Sequence, residues 1–255
     1  MNDLQLLIDA AVAAGDVANS YWNKSPEVWE KDDGAGPVTE ADLAVNTLLH
    51  EQLVGRRPDY GWLSEESEDG AARLDCEKVL IVDPIDGTRS FIAGEKTWAH
   101  SLAIAQNGQV TEAVVYLPLL DKLYAASIGG GASLNGQPIK KSDQQQVDGA
   151  TVLSAKGSLL PQYWQGEVPL VKRHFRPSLA YRLALVAEGR FDAMMTLRDT
   201  WEWDVAAGAL IASEAGACVT DKAGGAPVFN NAVPKLPGIL AGTAAVHSDL
   251  VSRLK

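Results

Sequence analysis

Val79-Leu80-Ile81-Val82-Asp83-Pro84-Ile85-Asp86-Gly87-Thr88 is the stretch on which the reading of this chain turns. A continuous apolar run halted by Asp83-Pro84 suits a buried strand. Proline biases the residue before it toward an extended backbone, so Asp83 is expected to project from the strand's end and Asp86 to emerge one bend later. Gly87 lets the backbone come close to a ligand, and Gly87-Thr88-Arg89 can open a short helix through Phe91 whose free amides point at an anion. Two hard oxygen ligands beside such a helix start suit Mg²⁺ and phosphate together. An isolated D-x-x-D pair would read as a turn whose carboxylates cap local amides. The six-residue string Asp83–Thr88 is a far more specific signal than that pair.

Working outward, strands are expected at about Trp98–Ala105, Val110–Tyr116 and Lys122–Ser127, with Asn107-Gly108 and Asn135-Gly136 as hairpin signals, giving an antiparallel sheet. Upstream, Leu4, Leu7, Ile8, Ala11, Val12 and Val17 recur at helical spacing over residues 3–22. A second helix should start at Thr39, whose hydroxyl can cap the amides of Glu40-Ala41-Asp42. Lys31–Pro37 between them reads as a loop. Downstream, strands near Val152–Ser154, Phe191–Thr196, Cys218-Val219 and Ile239–Ala241 alternate with helices at 178–188, at 204–215 and from about His247. Mixed layers of this kind indicate an α+β protein. With no repeat and no low-complexity linker, residues 1–145 and 146–255 are expected to form two halves of one compact body.

The chain has 255 residues, 46% hydrophobic and 22% charged, which fits an ordinary globular protein and argues against disorder or a coiled-coil rod. Lys and Arg number 22 against 33 Asp and Glu, a formal charge of −11, so binding a nucleic-acid polymer through a broad basic face is disfavoured. No apolar run approaches the ~20 residues needed to span a bilayer, and the first residues show no signal pattern, so a cytoplasmic protein with no membrane partner is expected. Cys76 and Cys218 have no C-x-x-C spacing and read as structural cysteines. His50, His100, His174 and His247 lack metal-ligand spacing and are given no catalytic role.

Two further acidic positions bear on the site. In Ser64-Glu65-Glu66-Ser67-Glu68-Asp69, Glu68 and Asp69 read as solvated loop, whereas Glu65 follows a strand-like apolar stretch and is divided evenly between surface and an inward position beside Asp83. Asp204, in Trp203-Asp204-Val205-Ala206-Ala207-Gly208, falls where a helix should begin; alone it would be an N-cap, and beside the other motifs it becomes a ligand from the second half of the chain.

Taken together, Pro37-Val38-Thr39-Glu40-Ala41-Asp42, Leu63-Ser64-Glu65-Glu66, Asp83–Thr88, Gly131-Ala132-Ser133-Leu134-Asn135-Gly136 and Trp203-Asp204 before Glu214-Ala215-Gly216 resemble the inositol monophosphatase superfamily of Mg²⁺-dependent, lithium-sensitive phosphatases. The resemblance implies a layered α/β/α/β/α sugar-phosphatase fold, two or three Mg²⁺ ions, a homodimer, and hydrolysis of a small phosphate monoester. Glu65, Asp83, the Ile85 carbonyl and Thr88 would then hold one ion; Asp83, Asp86 and Asp204 would hold a second, and Glu65 would help with a third. It further implies that Asp42 and Thr88 activate the attacking water, with Glu65 in the same catalytic set, and that the Gly87 and Thr88 amides bind phosphate. The two-metal logic fits an ester whose anionic oxygens repel a nucleophile.

Substrate choice is less sharply written. The animal enzymes place an acidic residue before Trp-Asp to contact the inositol ring, and ungapped alignment puts Leu197 there, with Asp199 nearby. Lys31-x-Asp33 and Leu185-Val186-Ala187-Glu188-Gly189 are similar to 3′(2′),5′-bisphosphate nucleotidases, although Ile85 and Arg89-Ser90 depart from that pattern. Asp86–Phe91 with Trp98 is similar to histidinol-phosphate phosphatases. A broad inositol-monophosphatase-like activity is the leading expectation, with the nucleotidase next, the histidinol-phosphate enzyme after it, and a non-catalytic regulator as the reading from another class. Arg89, Arg182 and Arg198 are candidates for a second anionic group, Trp201 and Trp203 for the pocket wall, and Glu214 for a substrate contact.

Overall fold

A computed structural model describes residues 1–31 and 36–255, so residues 32–35 of the expected loop, and with them Asp33, lie outside the described residues. Helix α1 (Asp3–Tyr21) is capped by the Asn2 side chain and buries an alanine-rich face of Leu6, Leu7, Ala10, Ala11, Ala14 and Ala18. Small side chains let it lie close to α2 (Glu40–Val54). The strands β1 (Val28–Glu30) and β2 (Pro37–Thr39) pair antiparallel just before α2.

Seven strands follow in one sheet, in spatial order of their numbering: β3 (Gly61–Ser64), β4 (Lys78–Asp86), β5 (Ala99–Gln106), β6 (Gln109–Leu117), β7 (Lys122–Ser127), β8 (Gly131–Leu134) and β9 (Gln137–Pro138). The expectation of an antiparallel sheet holds from β4 to β9, and β3 adds itself parallel to β4 at the edge. The short helix α3 (Thr88–Ile92) leaves the end of β4. In the second half, β10 (Thr151–Ser154), β11 (Lys172–His174), β12 (Ala193–Thr196), β14 (Cys218–Thr220) and β16 (Ile239–Gly242) form a five-stranded sheet in the order β11-β10-β12-β16-β14. A separate small pair joins β13 (Thr200–Trp201) to β15 (Lys235–Leu236). Helices α4 (Leu179–Ala187), α5 (Glu202–Glu214) and α6 (Ala244–Arg253) complete the chain.

The layering follows from the period of two along each strand. In β4, Val79 and Ile81 enter a core shared with α4 and α5, while Leu80 and Val82 enter one shared with α1 and α2. In β12, Met194 faces that α4–α5 core and Ala193 and Met195 face a third, closed by Val246 and Leu250 of α6. The order is therefore helices, seven-stranded sheet, helices, five-stranded sheet, helix, the α+β architecture expected.

Three boundaries differ from the sequence reading. Strand β4 does not stop at Asp83 but continues to Asp86 through a register shift. Helix α5 starts at Glu202, so Asp204 lies in its first turn and Trp201 occupies the cap. Helix α6 starts at Ala244 because the Thr243 side chain caps it, earlier than His247. Cys76 and Cys218 are both free thiols. Among the described residues no helix is long and apolar enough to cross a membrane.

Candidate active site

The register shift in β4 shapes the site. Asp83 pairs with Ser101 and Asp86 with Ala99, so three steps on β4 oppose two on β5 and the strand bulges. Pro84, which has no N–H to give the ladder, sits in that bulge. The His100 ring nitrogen Nδ1 meets the Pro84 carbonyl. Burial pulls the His100 pKa down to about 4, so the ring is neutral and carries its proton on the nitrogen that faces this acceptor. Asp83 and Asp86 are both buried by the bulge.

Two of the neighbouring carboxylates, Asp42 and Asp86, are held by the start of a helix. Asp42 belongs to the capping box of α2: its Oδ2 accepts from the Thr39 amide at 2.8 Å and from the Thr39 hydroxyl at 2.6 Å. Its Oδ1 lies 3.2 Å from the Thr88 hydroxyl, which is also 3.2 Å from the Ile85 carbonyl oxygen. One hydroxyl proton serves one of these acceptors at a time. Gly87, at φ 104°, makes the left-handed turn that delivers Thr88 into α3, a conformation a side chain would strain. Asp86 Oδ2 accepts from the Ser178 hydroxyl at 2.6 Å and the Ala180 amide at 2.7 Å, at the positive end of α4. Thr200 donates to Asp204 at 3.3 Å, and the Ser101 hydroxyl donates to the Trp203 carbonyl at 2.9 Å, tying α5 to β5. Glu65 turns inward to the cleft, where Lys31 Nζ bridges it at 2.7 Å to Glu66 at 2.6 Å.

Asp83, Asp86 and Asp204 each bring a carboxylate oxygen within 4.8 Å of the others. Asp83 Oδ1 is buried with no hydrogen-bond partner among the described residues. Burial, then the charges of Glu65 and Asp86, push the Asp83 pKa well above the usual carboxylate range, and burial with Asp86 and Glu65 does the same to Asp204. Asp86 is pushed up to about 6, chiefly by burial and against the hydrogen bonds from Ser178 and Ala180. Asp42 also rises to about 6 and Glu66 to about 7, both led by burial. Crowded anionic oxygens with one unsatisfied buried lone-pair atom fit a hard divalent cation such as Mg²⁺.

These groups face an open cleft of about 1560 Å³ whose walls include Ile85, Gly87, Thr88, Leu197, Arg198 and Trp201. Two expectations, for Glu214 and for Asp69, need correction. Glu214 is not on this cleft: it lies ten residues beyond Asp204, about 15 Å along a helix, and its carboxylate accepts from the Gly129 and Gly131 amides at 2.8 Å each. Trp201 and Trp203 both line the cleft, where they stack on each other with centroids 4.6 Å apart, and Lys235 Nζ stands 3.9 Å from the Trp201 centroid. Both cannot share one face, so Trp201 has no free face on which a ring could stack. Asp69 is no free loop charge, because it pairs at 2.6 Å with the buried Arg73. Arg73 in turn meets Asn230 and the Asn231 carbonyl, and Asn230 and Asn231 donate to the buried Glu202 beside the Trp-Asp motif.

Ser178 and Lys31 were missed as partners of the acidic cluster. Ser178 had a readable signal, a serine before the apolar run of α4, whereas nothing local in the sequence pairs Lys31 with Glu65.

The family model described as the inositol monophosphatase family matches residues 2–254. Inositol-1-monophosphatase of Rhizobium meliloti (strain 1021) is 37% identical over 203 residues, 74% of this chain and 73% of that protein. Histidinol-phosphatase of Chlorobaculum parvum is 30% identical over 262 residues, 99% of this chain and 96% of that one. Among solved structures, a Thermotoga maritima IMPase superposes with a TM-score of 0.83 at 28% identity, covering 99% of this chain and 96% of the other.

Proposed function

This chain belongs to the inositol monophosphatase family of phosphatases, and from that premise we propose that it is a Mg²⁺-dependent phosphomonoesterase in which water attacks a small phosphate monoester directly. The observation that carries this reading is the convergence of Asp83, Asp86 and Asp204 around a buried Asp83 oxygen that has no hydrogen-bond partner among the described residues. Asp83, Asp86 and Asp204 would hold one cation, and Glu65, Asp83, the Ile85 carbonyl and Thr88 another. Bound divalent ions supply charge neutralisation at the phosphate oxygens, a lowered pKa for water and stabilisation of the leaving alkoxide.

The chain's own groups then have defined tasks. Asp42 Oδ1 accepts the proton that the attacking water loses, directly or by way of the Thr88 hydroxyl, while Thr39 fixes the other oxygen. A carboxylate pushed up to about 6 is ionised at neutral pH yet basic enough to take a proton in transit. The Gly87 and Thr88 amides orient the phosphate. Leu197 on the cleft wall offers a polyol no carboxylate at that position, with Asp199 the nearest acid along the same segment, which supports activity on small monoesters more broadly rather than on inositol phosphates alone. Kinship with a histidinol-phosphatase keeps histidinol phosphate as the second reading.

Phosphate release from inositol 1-phosphate, histidinol phosphate and adenosine 3′,5′-bisphosphate, with and without Mg²⁺, tests the proposal. Mg²⁺-dependent turnover is expected, and Asp204→Asn or Asp86→Asn should remove it while the circular-dichroism spectrum stays native. Near-wild-type turnover in either variant overturns the metal assignment.

A further inference from the structure

The cleft carries arginines that the reaction proposed above does not use. Arg89, Arg176, Arg182 and Arg198 all line it, and among the described residues none of the four forms an ion pair within 4.0 Å, whereas Arg57, Arg73 and Arg253 each do. Arg182 is the informative one. Its residue is only 5% exposed, its Nε donates to the Arg176 carbonyl, its Nη2 lies 3.4 Å from the Pro177 carbonyl, and the Phe175 ring sits 4.5 Å from the guanidinium carbon. These contacts fix the guanidinium in one orientation and leave Nη1 with no hydrogen-bond partner among the described residues. Arg198, exposed on the same cleft, is near enough for its charge to oppose that of Arg182.

Burying a guanidinium beside a second one is costly unless a negative charge answers both. Asp86 and Asp204 supply part of that charge in the metal-free protein. Once divalent ions occupy the acidic cluster, that countercharge is spoken for. An anionic group of the ligand would then answer Arg182 and Arg198, and guanidinium forks suit phosphate and carboxylate alike.

We infer that Arg182 and Arg198 form a second anion subsite, so that the preferred substrates carry another phosphate or a carboxylate on the skeleton that bears the scissile phosphate. The inference rests on the phosphomonoesterase reading and narrows its substrate class, away from inositol 1-phosphate and histidinol phosphate, which carry no second anionic group. Arg182 is a specificity-determining residue, positioned by Phe175 and by the backbone of Arg176 and Pro177, and Arg198 is its partner on the same cleft.

Matched pairs of esters test it. Adenosine 3′-phosphate is compared with adenosine 3′,5′-bisphosphate, and glycerol 2-phosphate with 2-phosphoglycerate; the first pair adds a phosphate and the second a carboxylate. The wild-type enzyme should favour the doubly anionic member of at least one pair by about tenfold or more in kcat/KM, mainly through KM. Arg198→Gln, a change at an exposed position, and Arg182→Gln should shrink that preference toward unity, with Arg182→Lys in between. Equal kcat/KM within both pairs for the wild type overturns the inference. So does an equal loss on both members of a pair in the variants, which would make Arg182 a contact to the scissile phosphate or a counterion of the acidic cluster. Dissociation constants of adenosine 3′,5′-bisphosphate and adenosine 3′-phosphate, measured calorimetrically with Ca²⁺ present, separate the two proposals. If no ester is hydrolysed but the tighter binding of the bisphosphate is lost in Arg198→Gln, only the phosphomonoesterase reading fails. If esters are hydrolysed without preference, only the subsite fails.

Discussion

Asp83 shows how a single residue can be wrong for stability and right for chemistry. Its Oδ1 is buried and has no hydrogen-bond partner among the described residues, and its pKa is driven upward by burial and by Glu65, Asp86 and Asp204. A carboxyl whose folded pKa is raised stabilises the fold relative to its ionised form below the unfolded value of 3.8, and this is lost as pH rises through the folded value. Removing the charge with an isosteric amide should therefore help most at alkaline pH. Metal-free Asp83→Asn is expected to melt above the metal-free wild type by roughly 2–8 °C at pH 8, with the gap narrowing on titration toward pH 4, and to lose roughly 10²-fold or more of the Mg²⁺-dependent turnover. Differential scanning calorimetry and phosphate release check the two halves, and an Asp83→Asn protein that melts below the wild type at pH 8 would contradict the account. The types and order of these acids were legible in the sequence. Their mutual repulsion was not, because it depends on distances between chain segments.

At the scale of elements, the site depends on how closely α4 and α5 approach. A Cβ built on Gly208 would stand 2.6 Å from the Leu183 Cβ, closer than real Cβ contacts allow, so glycine is required by packing between the helices. Gly208→Ala should cost about 1–3 kcal/mol of stability. By pushing the two helices apart it should also draw Ser178 and Ala180 from Asp86, weakening Mg²⁺ binding; urea unfolding and Mg²⁺ titration measure both. The helix ends themselves were largely readable, as at Thr39, whose capping box also sets the Asp42 carboxylate. The bulge in β4 was not, because a register shift exists only relative to the partner strand β5. Glu214 was misplaced for a related reason: adjacency to a motif in sequence does not discount the length of the helix between them.

Over the whole molecule, cation binding and folding should be linked, since the acidic cluster draws on both halves of the chain. Ions that bind the native cluster alone stabilise by mass action, about 2.7 kcal/mol at a hundred times the dissociation constant. Protons compete for the same oxygens. With Asp86 pushed up to about 6, and Asp83 and Asp204 raised as well, the cluster holds more protons at pH 5 than at pH 8. The rise in melting temperature on adding Mg²⁺ should accordingly be larger at pH 8 than at pH 5, and an equal rise at both would place the stabilising ions elsewhere. The sequence by itself determined the helices and the Thr39 cap, the alternating strands and hence the α+β layers, and the identity of Asp42, Asp83, Asp86 and Asp204, because local capping, periodicity and turn chemistry act over a few residues. Only the tertiary structure decided that Ser178 would hold Asp86, that Lys31 would bridge Glu65 and Glu66, that Glu214 would face away, and that Arg182 would be fixed on the cleft wall. Those outcomes depend on strand register and helix approach, which bring together side chains whose distance along the chain carries no information about their distance in space.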